Sequence, residues 1–180
     1  MTITGASGAG KTTLENSLLQ HFGGGRVRTI TTRVPREGET AANYDFQSED
    51  SLAEMANLLW CLPIHNAVYA VALPEFDKAA AETNGLAFVS ITPERHEFLA
   101  NHFTPNGVRC VAVHLAHPGE NELRRRLELR GEDATSVDKR LKDSVIFEQS
   151  AVKVANLNII RSGTPAEVLH QVLSIIEVTP

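Results

Sequence analysis

Short apolar runs alternate along the chain with longer stretches of mixed apolar and polar residues. The apolar runs predict strands at residues 2–4, 27–31, 58–62, 68–73, 86–91, 109–115 and 157–160. The longer stretches predict helices at residues 11–22, 48–57, 74–84, 120–130 and 136–154, with two more that begin near residues 93 and 165. This alternation predicts an α/β fold in which helices cover a parallel sheet.

Residues at the predicted element ends support these boundaries. Three glycines at residues 23–25 follow the first helix and would end it. Pro74 and Pro93 suit the first turn of a helix, where a proline costs no hydrogen bond. Residues 164–167, Thr-Pro-Ala-Glu, have the form of a capping box that opens the last helix.

The composition is that of one globular domain. The chain has 180 residues, of which 42% are hydrophobic and 22% charged, and its net charge is −5. A general nucleic-acid binder is usually basic, so we expect no nucleic-acid partner. No apolar run reaches the roughly 20 residues that cross a membrane, and the Thr-Ile-Thr-Gly after Met1 leaves no room for a signal peptide. The sequence therefore predicts a cytoplasmic protein without membrane contact.

Several residues with reactive or aromatic side chains are interpreted as structural. Cys61 and Cys110 have apolar neighbours and no CxxC partner, which predicts buried, free thiols. His114 and His117 fall at a strand end with no third candidate ligand, so a metal pair is disfavoured. Trp60 lies in an apolar cluster and is interpreted as a packing residue, with base stacking as the alternative.

Residues 5–12, Gly-Ala-Ser-Gly-Ala-Gly-Lys-Thr, match the pattern GxxxxGK[ST] in full. A predicted strand precedes them and a predicted helix follows, which is the context this P-loop requires. The glycines let backbone N–H groups point at phosphate oxygens, and the helix start adds partial positive charge. Lys11 is predicted to reach the β and γ phosphates of a bound nucleotide, and the Thr12 hydroxyl to hold Mg²⁺. The predicted phosphate-binding residues are Gly5, Ala6, Ser7, Gly8, Ala9, Gly10, Lys11, Thr12 and Thr13.

A P-loop predicts nucleotide binding but does not separate an ATPase, a GTPase and a small-molecule kinase. A GTPase carries an NKxD-type motif that reads the base, and the sequence has none. The choice therefore depends on the arginines of the rest of the chain.

A polar segment after the second predicted strand forms a second candidate site. Residues 31–39 read TTRVPREGE, and residues 44–46 read YDF. Arg33 and Arg36 can each bind phosphate oxygens with two N–H groups, and the Tyr44 hydroxyl can donate one more bond. The alternative interpretation is a solvated loop whose charges bind nothing.

Together these segments resemble the guanylate kinase family. Residues 31–46 are similar to the family signature TTRxPRxGE…YxF, and residues 5–13 to GPSGxGKST. Residues 124–131, RRRLELRG, resemble the family's RRLxxRG, and Arg140-Leu141 resembles the RRL that follows it. The order and approximate spacing of these blocks hold from Thr2 to the last helix.

The resemblance implies a three-layer α/β/α fold of the P-loop NTPase class with a parallel core sheet. It implies a core of residues 1–31, 73–126 and 140–180, a small acceptor-binding part at 32–72 and a lid at 127–139. It further implies a nucleoside monophosphate kinase, a monomer or homodimer, that uses ATP with Mg²⁺ and has GMP or dGMP as its acceptor.

The resemblance also implies roles for individual residues. Thr29 would meet the guanine, and the acceptor phosphate would be held by Arg33, Arg36, Tyr44 and Tyr69. The implied catalytic residues are Lys11, Arg33, Arg126, Arg130 and Arg140. On charge alone, the last three are also typical of an ordinary charged helix surface.

The chain departs from the family pattern at the positions that read guanine. Leu59 replaces the glutamate before the tryptophan, and Thr92 replaces an acidic residue. Leucine accepts no hydrogen bond, and each guanine donor left unpaired in a closed site costs about 1–3 kcal/mol. The carboxylates that would substitute are Glu39, Asp45 and Glu75.

Two alternatives remain open at this point. Kinases of a sugar phosphate such as ribose 1,5-bisphosphate share the fold and lack the guanine-reading acids, although their acceptor segments are less similar to TTRxPRxGE. A non-catalytic binding module would keep the fold without the chemistry, and the intact Lys11 and Thr12 argue against it.

Overall fold

The structure is a computed structural model that describes residues 1–35, 39, 41, 44–64 and 66–178. The chain divides into two compact units: unit 1 contains residues 1–21 and 90–180, and unit 2 contains residues 22–89. The strands of the described residues are β1 (Thr2–Thr4), β2 (Thr29–Thr31), β3 (Tyr44–Phe46), β4 (Leu58–Ile64), β5 (Ala67–Ala72), β6 (Val89–Ser90), β7 (Ala112–Leu115) and β8 (Leu157–Ile160). The helices are α1 (Lys11–Phe22), α2 (Glu49–Ala53), α3 (Pro74–Glu82), α4 (Glu94–Phe103), α5 (Glu120–Glu128), α6 (Ala134–Ala151) and α7 (Pro165–Val178).

Unit 1 is built on a four-stranded sheet with the order β6-β1-β7-β8. β1 pairs with β7 in parallel, starting with Thr2 beside Ala112, and β7 pairs with β8 in parallel. Every residue of β1 and β7 is buried, which requires cover on both faces of the sheet. The predicted α/β class with a parallel sheet is confirmed.

Helices α5 and α6 pack against the loop that follows β1. Leu123 and Leu127 of α5 form one buried cluster with Val137 and Leu141 of α6 and with Ala6 of the loop. The backbone of the P-loop therefore rests on a packed apolar base.

Unit 2 contains a second sheet with the order β3-β2-β5-β4. β2 pairs with β3 in parallel and with β5 antiparallel. Paired residues share a face, and successive residues of a strand alternate between faces. The front face of this sheet carries hydroxyl and aromatic side chains, namely Thr29, Thr31, Tyr44, Phe46 and Tyr69. The back face carries Ile30, Asp45 and Ala70, of which Ile30 and Ala70 pack with Leu52 of α2.

Strands are shorter than predicted where an apolar run extends beyond the residues that pair regularly with a neighbouring strand. The strand at 157–160 is confirmed, whereas the runs at 86–91 and 109–115 pair regularly only over β6 and β7. Phe88 is fully buried but forms a single bridge with Arg26. The strand predicted at 86–91 was therefore too long, because an apolar run marks buried residues whether or not they pair regularly. β3 lies in a segment that was expected to be a polar loop.

Helix starts agree with the prediction more closely than helix ends. Ser48 caps α2 through a bond from the Ser51 N–H at 3.1 Å, but α2 ends at Ala53 instead of continuing to Asn57, which has a φ of +61°. The capping box of α7 is confirmed, since the Thr164 N–H donates to Glu167 at 2.8 Å. No helix of the described chain combines the length and hydropathy that a membrane span requires.

The two cysteines are free, as predicted, but the prediction that they are buried is wrong. Cys61 is exposed and Cys110 is half-buried. Cys61 belongs to β4, which lies last in the strand order of its sheet, so an apolar sequence neighbourhood there does not ensure cover.

Candidate active site

A tight loop at residues 5–10 joins β1 to α1 and forms the candidate phosphate site. Gly5, Gly8 and Gly10 have φ of +148°, +90° and +110°, a region that side chains disfavour. A Cβ at Gly8 would lie 2.7 Å from Cδ1 of Leu123, so packing also excludes a larger residue there. Apart from the residues adjacent to Gly10, no atom of the described chain lies within 4 Å of a Cβ at this position, which leaves open space at the start of α1.

The Lys11 side chain lies across this loop. Its Nζ donates to the carbonyl oxygens of Gly5 at 2.7 Å and Ala6 at 3.0 Å. Both acceptors are neutral, and hydrogen bonds to ionised acceptors are roughly twice as strong. A phosphate in the loop would therefore compete well for this ammonium group.

Two of the predicted lid and hinge arginines contact the loop directly. Arg126 Nη1 donates to the Gly8 carbonyl at 3.1 Å, and Arg140 Nη1 donates to Ser7 Oγ at 2.8 Å. Arg126 comes from α5 and Arg140 from α6, so the packed helix pair brings both guanidinium groups to one place. The alternative of ordinary surface charges does not describe these two side chains.

Both arginines also hold a carboxylate. Arg126 Nε donates to Glu122 at 2.7 Å, and Arg140 Nε pairs with Glu132. Hydrogen bonds from Arg125 and Arg126 lower the pKa of Glu122 to about 2, so it is ionised at neutral pH. These pairs orient the guanidinium groups in the absence of phosphate.

A pocket of about 200 Å³ lies beside the loop within unit 1. Gly10, Arg126 and Arg130 line it, so the third predicted lid arginine also reaches this region. Its far wall is formed by residues 160–163 and by α7. Sequence reasoning missed this wall as a binding surface, although ligands in parallel sheets bind at the carboxyl ends of strands and β8 was predicted.

The residues around the loop fit ATP with a bound metal. The site combines an ammonium group, guanidinium groups and open space at a helix start. Thr12 and Thr13 are exposed in the first turn of α1, and Thr13 lines the pocket. A hydroxyl at this turn is suited to Mg²⁺, which prefers oxygen ligands.

Arg33 is held on the front face of the unit 2 sheet. Its Nε donates to the Tyr69 hydroxyl at 3.2 Å, and Nη1 and Nη2 donate to the two Glu39 oxygens at 2.8 and 3.0 Å. Its Cζ lies 5.2 Å from the Tyr44 ring centroid and 5.8 Å from that of Phe46. Burial opposes the charge, but the bonds to Glu39 and Tyr69 outweigh it, so the pKa of Arg33 is raised.

The structure thus brings together three of the predicted acceptor-binding side chains. Arg33, Tyr44 and Tyr69 are in contact with one another. Thr29 lies beside Tyr44 in the register of β2 and β3. Arg36 lies outside the described residues.

Each of the three carboxylates that could replace the missing guanine-binding acids already lies near an arginine. Glu39 pairs with Arg33 as described. Asp45 lies on the back face, opposite Arg33, and approaches Arg28 at 3.8 Å. Glu75 approaches the same Arg28 at 3.6 Å. Asp45 therefore does not face the Arg33 site.

The residues interpreted as structural have protein partners. His114 contacts Thr4 and Glu148, and His117 contacts Ser144. Trp60 is buried and meets the Phe76 ring edge-on with centroids 6.5 Å apart, in agreement with a packing role.

The chain is similar to proteins of one family along most of its length. It is 31% identical over 154 residues to the guanylate kinase of Chlamydia pneumoniae, a match that covers 81% of this chain and 71% of that protein. It is 30% identical over 159 residues to the guanylate kinase of Chlamydia caviae, covering 83% and 74%. The crystal structure of guanylate kinase from Anaplasma phagocytophilum superposes with a TM-score of 0.71 at 17% identity, covering 97% of this chain and 82% of that one. No protein-family model matches the chain.

Proposed function

The chain belongs to the guanylate kinase family, and from that premise we propose that it transfers the γ-phosphoryl group of ATP to the phosphate of GMP or dGMP. Membership makes it a nucleoside monophosphate kinase that uses ATP. The observation that carries a phosphorylated acceptor is the Arg33 site, in which the guanidinium group contacts Tyr44 and Tyr69 on the front face. The similarity to guanylate kinases is what favours GMP or dGMP among such acceptors.

On the donor side, the loop of residues 5–10 and the Lys11 ammonium group bind the phosphates of ATP. Lys11 gives up its bonds to the Gly5 and Ala6 carbonyls for charged phosphate oxygens. Mg²⁺ supplies charge neutralisation at the phosphates when it is bound, and Thr12 is the residue that would hold it. Arg126 and Arg140 neutralise the charge of the group in transfer, together with Arg130 from the pocket wall.

On the acceptor side, Arg33 and Arg36 hold the monophosphate so that its oxygen lies in line with the migrating group. Tyr44 and Tyr69 hydroxyls complete the phosphate contacts, and Thr29 meets the base. The attacking phosphate is already ionised at neutral pH, so no general base is needed. Phosphoryl transfer asks the protein mainly for positioning and charge neutralisation. Closure of a lid at residues 127–139 would keep water from the reaction.

A sugar phosphate is the second candidate acceptor, because the guanine-reading acids are missing. Leu59 and Thr92 are both half-buried and cannot ionise, and Asp45 lies on the back face. A sugar phosphate requires no carboxylate that pairs with a base edge. It would still use the same phosphate contacts at Arg33.

The test is an acceptor screen with the purified full chain. ADP release from ATP is measured with GMP, dGMP, other nucleoside monophosphates and ribose 1,5-bisphosphate. We expect the highest kcat/KM with GMP or dGMP. A higher value with ribose 1,5-bisphosphate establishes the second candidate, and no turnover with any acceptor overturns the proposal of phosphoryl transfer.

The variant Leu59→Glu tests how guanine is read. A carboxylate at this position would accept from the guanine N1–H and amino group, and such bonds are worth about 1.5–3 kcal/mol each. We expect kcat/KM for GMP to rise by about tenfold or more, with the value for other monophosphates unchanged. Leu59→Gln is the uncharged control and should give a smaller gain. Equal kinetics in all three proteins would mean that guanine is recognised elsewhere.

A further inference from the structure

Two histidines that the proposed mechanism does not use lie behind the phosphate loop. His114 of β7 is 2% exposed, with Nδ1 2.8 Å from Thr4 Oγ1 and Nε2 3.0 Å from Glu148 Oε1. One neutral tautomer satisfies both contacts. In it, Nε2–H donates to the Glu148 carboxylate, and Nδ1 accepts from the Thr4 hydroxyl, whose competing acceptor is the Val113 carbonyl oxygen at the longer distance of 3.3 Å. His114 thus links β1, which leads into the P-loop, to α6.

His117 forms a second link a few residues further on. The Gly119 N–H donates to its Nδ1 at 3.0 Å, so Nε2 carries the proton and donates to Ser144 Oγ at 3.2 Å. Ser144 in turn donates to the Leu141 carbonyl at 2.6 Å. Gly119 caps the start of α5. His117 thus joins the start of α5, the helix of Arg126, to α6.

The α6 partners of these histidines lie in a line with Arg140. Arg140, Ser144 and Glu148 are four residues apart, so they share one face of the helix. Along this face they contact Ser7, His117 and His114 in turn. A rotation or one-turn shift of α6 would break all three contacts at once.

Apolar packing alone specifies a helix position less sharply than such contacts do. Val137 and Leu141 of α6 pack with α5, and hydrophobic cores that change while keeping their volume lose a unique arrangement before they lose stability. A buried polar pair tolerates a shift poorly, because an unpaired partner keeps its full desolvation penalty. Polar pairs therefore serve to fix a register.

We propose that His114 and His117 are positioning residues that hold α6 in the register that places the Arg140 guanidinium at the phosphate loop. Neither histidine lines the pocket beside the P-loop, and the inference rests on the proposed role of Arg140 in phosphoryl transfer. His114 is the deeper anchor, because its ring is also stacked on Phe147 of α6 with centroids 6.4 Å apart.

Two variants of His114 separate a positioning role from a merely structural one. In His114→Gln the amide nitrogen takes the place of Nε2 and keeps the bond to Glu148. In His114→Asn the amide oxygen takes the place of Nδ1 and keeps the bond to Thr4. Each variant loses one bond, so both should unfold at a similar, lowered temperature.

Of the two bonds of His114, only the one to Glu148 of α6 should matter for catalysis. We expect kcat of His114→Asn to fall about tenfold or more, since misplacement of a catalytic group by 1 Å can cost about a hundredfold. We expect His114→Gln to lose clearly less, with similar KM for the acceptor in both. Equal kcat in the two variants, high or low, overturns the inference. If His114→Asn does not fold, Ser144→Ala replaces it, and an unchanged kcat in that variant overturns the inference.

Two further variants keep this result apart from the proposed function. Arg140→Ala should lose kcat by at least as much as His114→Asn, and wild-type kcat in Arg140→Ala would refute the role of Arg140 itself. Gln149→Ala changes an exposed residue of α6 next to Glu148 and should match the wild type. A loss in Arg140→Ala with none in His114→Asn would refute only the positioning role.

Discussion

The Arg33 guanidinium group is held on three sides by the protein itself. Glu39 accepts from both Nη atoms and Tyr69 from Nε, while the Tyr44 ring lies 5.2 Å from Cζ. An acceptor phosphate carries more charge than a carboxylate, so under the proposed function it would displace Glu39 from the two Nη atoms. In the structure Glu39 thus fixes the position of the Arg33 guanidinium group.

The variant Arg33→Lys tests this fork. Lysine keeps the charge but cannot donate two parallel bonds to phosphate. We expect the acceptor KM to rise by about tenfold or more, because at least one charge-assisted bond of about 1.5–3 kcal/mol is lost. ADP affinity, measured by calorimetry, should not change.

Arg28→Lys is the matched control for this experiment. Arg28 lies in the same unit and also pairs with two carboxylates, Asp45 and Glu75, but Asp45 is on the back face. Its acceptor KM should remain near the wild-type value. Equal effects of the two substitutions would show that the front face is not the acceptor site.

The grouping of Arg33 with Tyr44 and Tyr69 could be predicted from sequence because motifs record these residues, whereas the pairing of Arg33 with Glu39 could not. TTRxPRxGE specifies residue types, whereas the bidentate bond of Arg33 to Glu39 is a property of the folded geometry. Similarly, the sequence allows Asp45 as a guanine reader, and only the register of β2 with β3 turns it to the back face. A one-residue difference in register would have reversed that result.

At the scale of elements, α5 places two of its arginines on one carboxylate. Arg125 and Arg126 follow Glu122 by three and four residues, so both reach it at 2.8 and 2.7 Å. Their hydrogen bonds lower the pKa of Glu122 from 4.5 to about 2. This helix therefore depends on an ionised carboxylate for the orientation of Arg126.

The pH dependence of unfolding tests this pairing. A carboxyl with a lowered pKa stabilises the folded state fully above about pH 4.5, and the stabilisation is lost as pH falls towards 2. We expect Glu122→Gln to be less stable than the wild type at pH 7 and equally stable near pH 2, in urea titrations at low salt. Because the pair is exposed, the difference should be small and should shrink in 0.5 M NaCl. A difference independent of pH would contradict this assignment.

Element starts could be predicted well because local chemistry determines them. The α7 capping box and the Ser48 cap each depend on residues within four positions of one another. Strand lengths depend on partners far away in sequence, so the runs at 86–91 and 109–115 were predicted too long. The pocket wall at residues 160–163 was missed for the same reason, since only the sheet order brings it to the P-loop.

At the scale of the whole molecule, the proposed donor and acceptor contacts belong to different units. The P-loop, Arg126 and Arg140 lie in unit 1, and Arg33, Tyr44 and Tyr69 lie in unit 2. The division into core, acceptor part and lid stays a prediction. Because the donor contacts lie in unit 1 alone, donor binding should stabilise unit 1 without any acceptor.

Thermal and urea unfolding with ADP test that consequence. ADP at a hundred times its Kd should raise the free energy of unfolding by about 2.7 kcal/mol, in the absence of acceptor. Arg33→Lys should keep this increase, and Lys11→Ala should lose most of it at the same ADP concentration. An increase that requires GMP would contradict independent donor binding.

Cys61 and Cys110 place one sulfhydryl in each unit. The chain has only these two cysteines. Cys61 is exposed and Cys110 half-buried, so nitroxide probes on the wild-type protein should label Cys61 first and Cys110 more slowly. Dipolar spectroscopy between the probes would then record the separation of the two halves with and without nucleotides. The two cysteines of this sequence are thus the positions at which a distance between the two units can be measured.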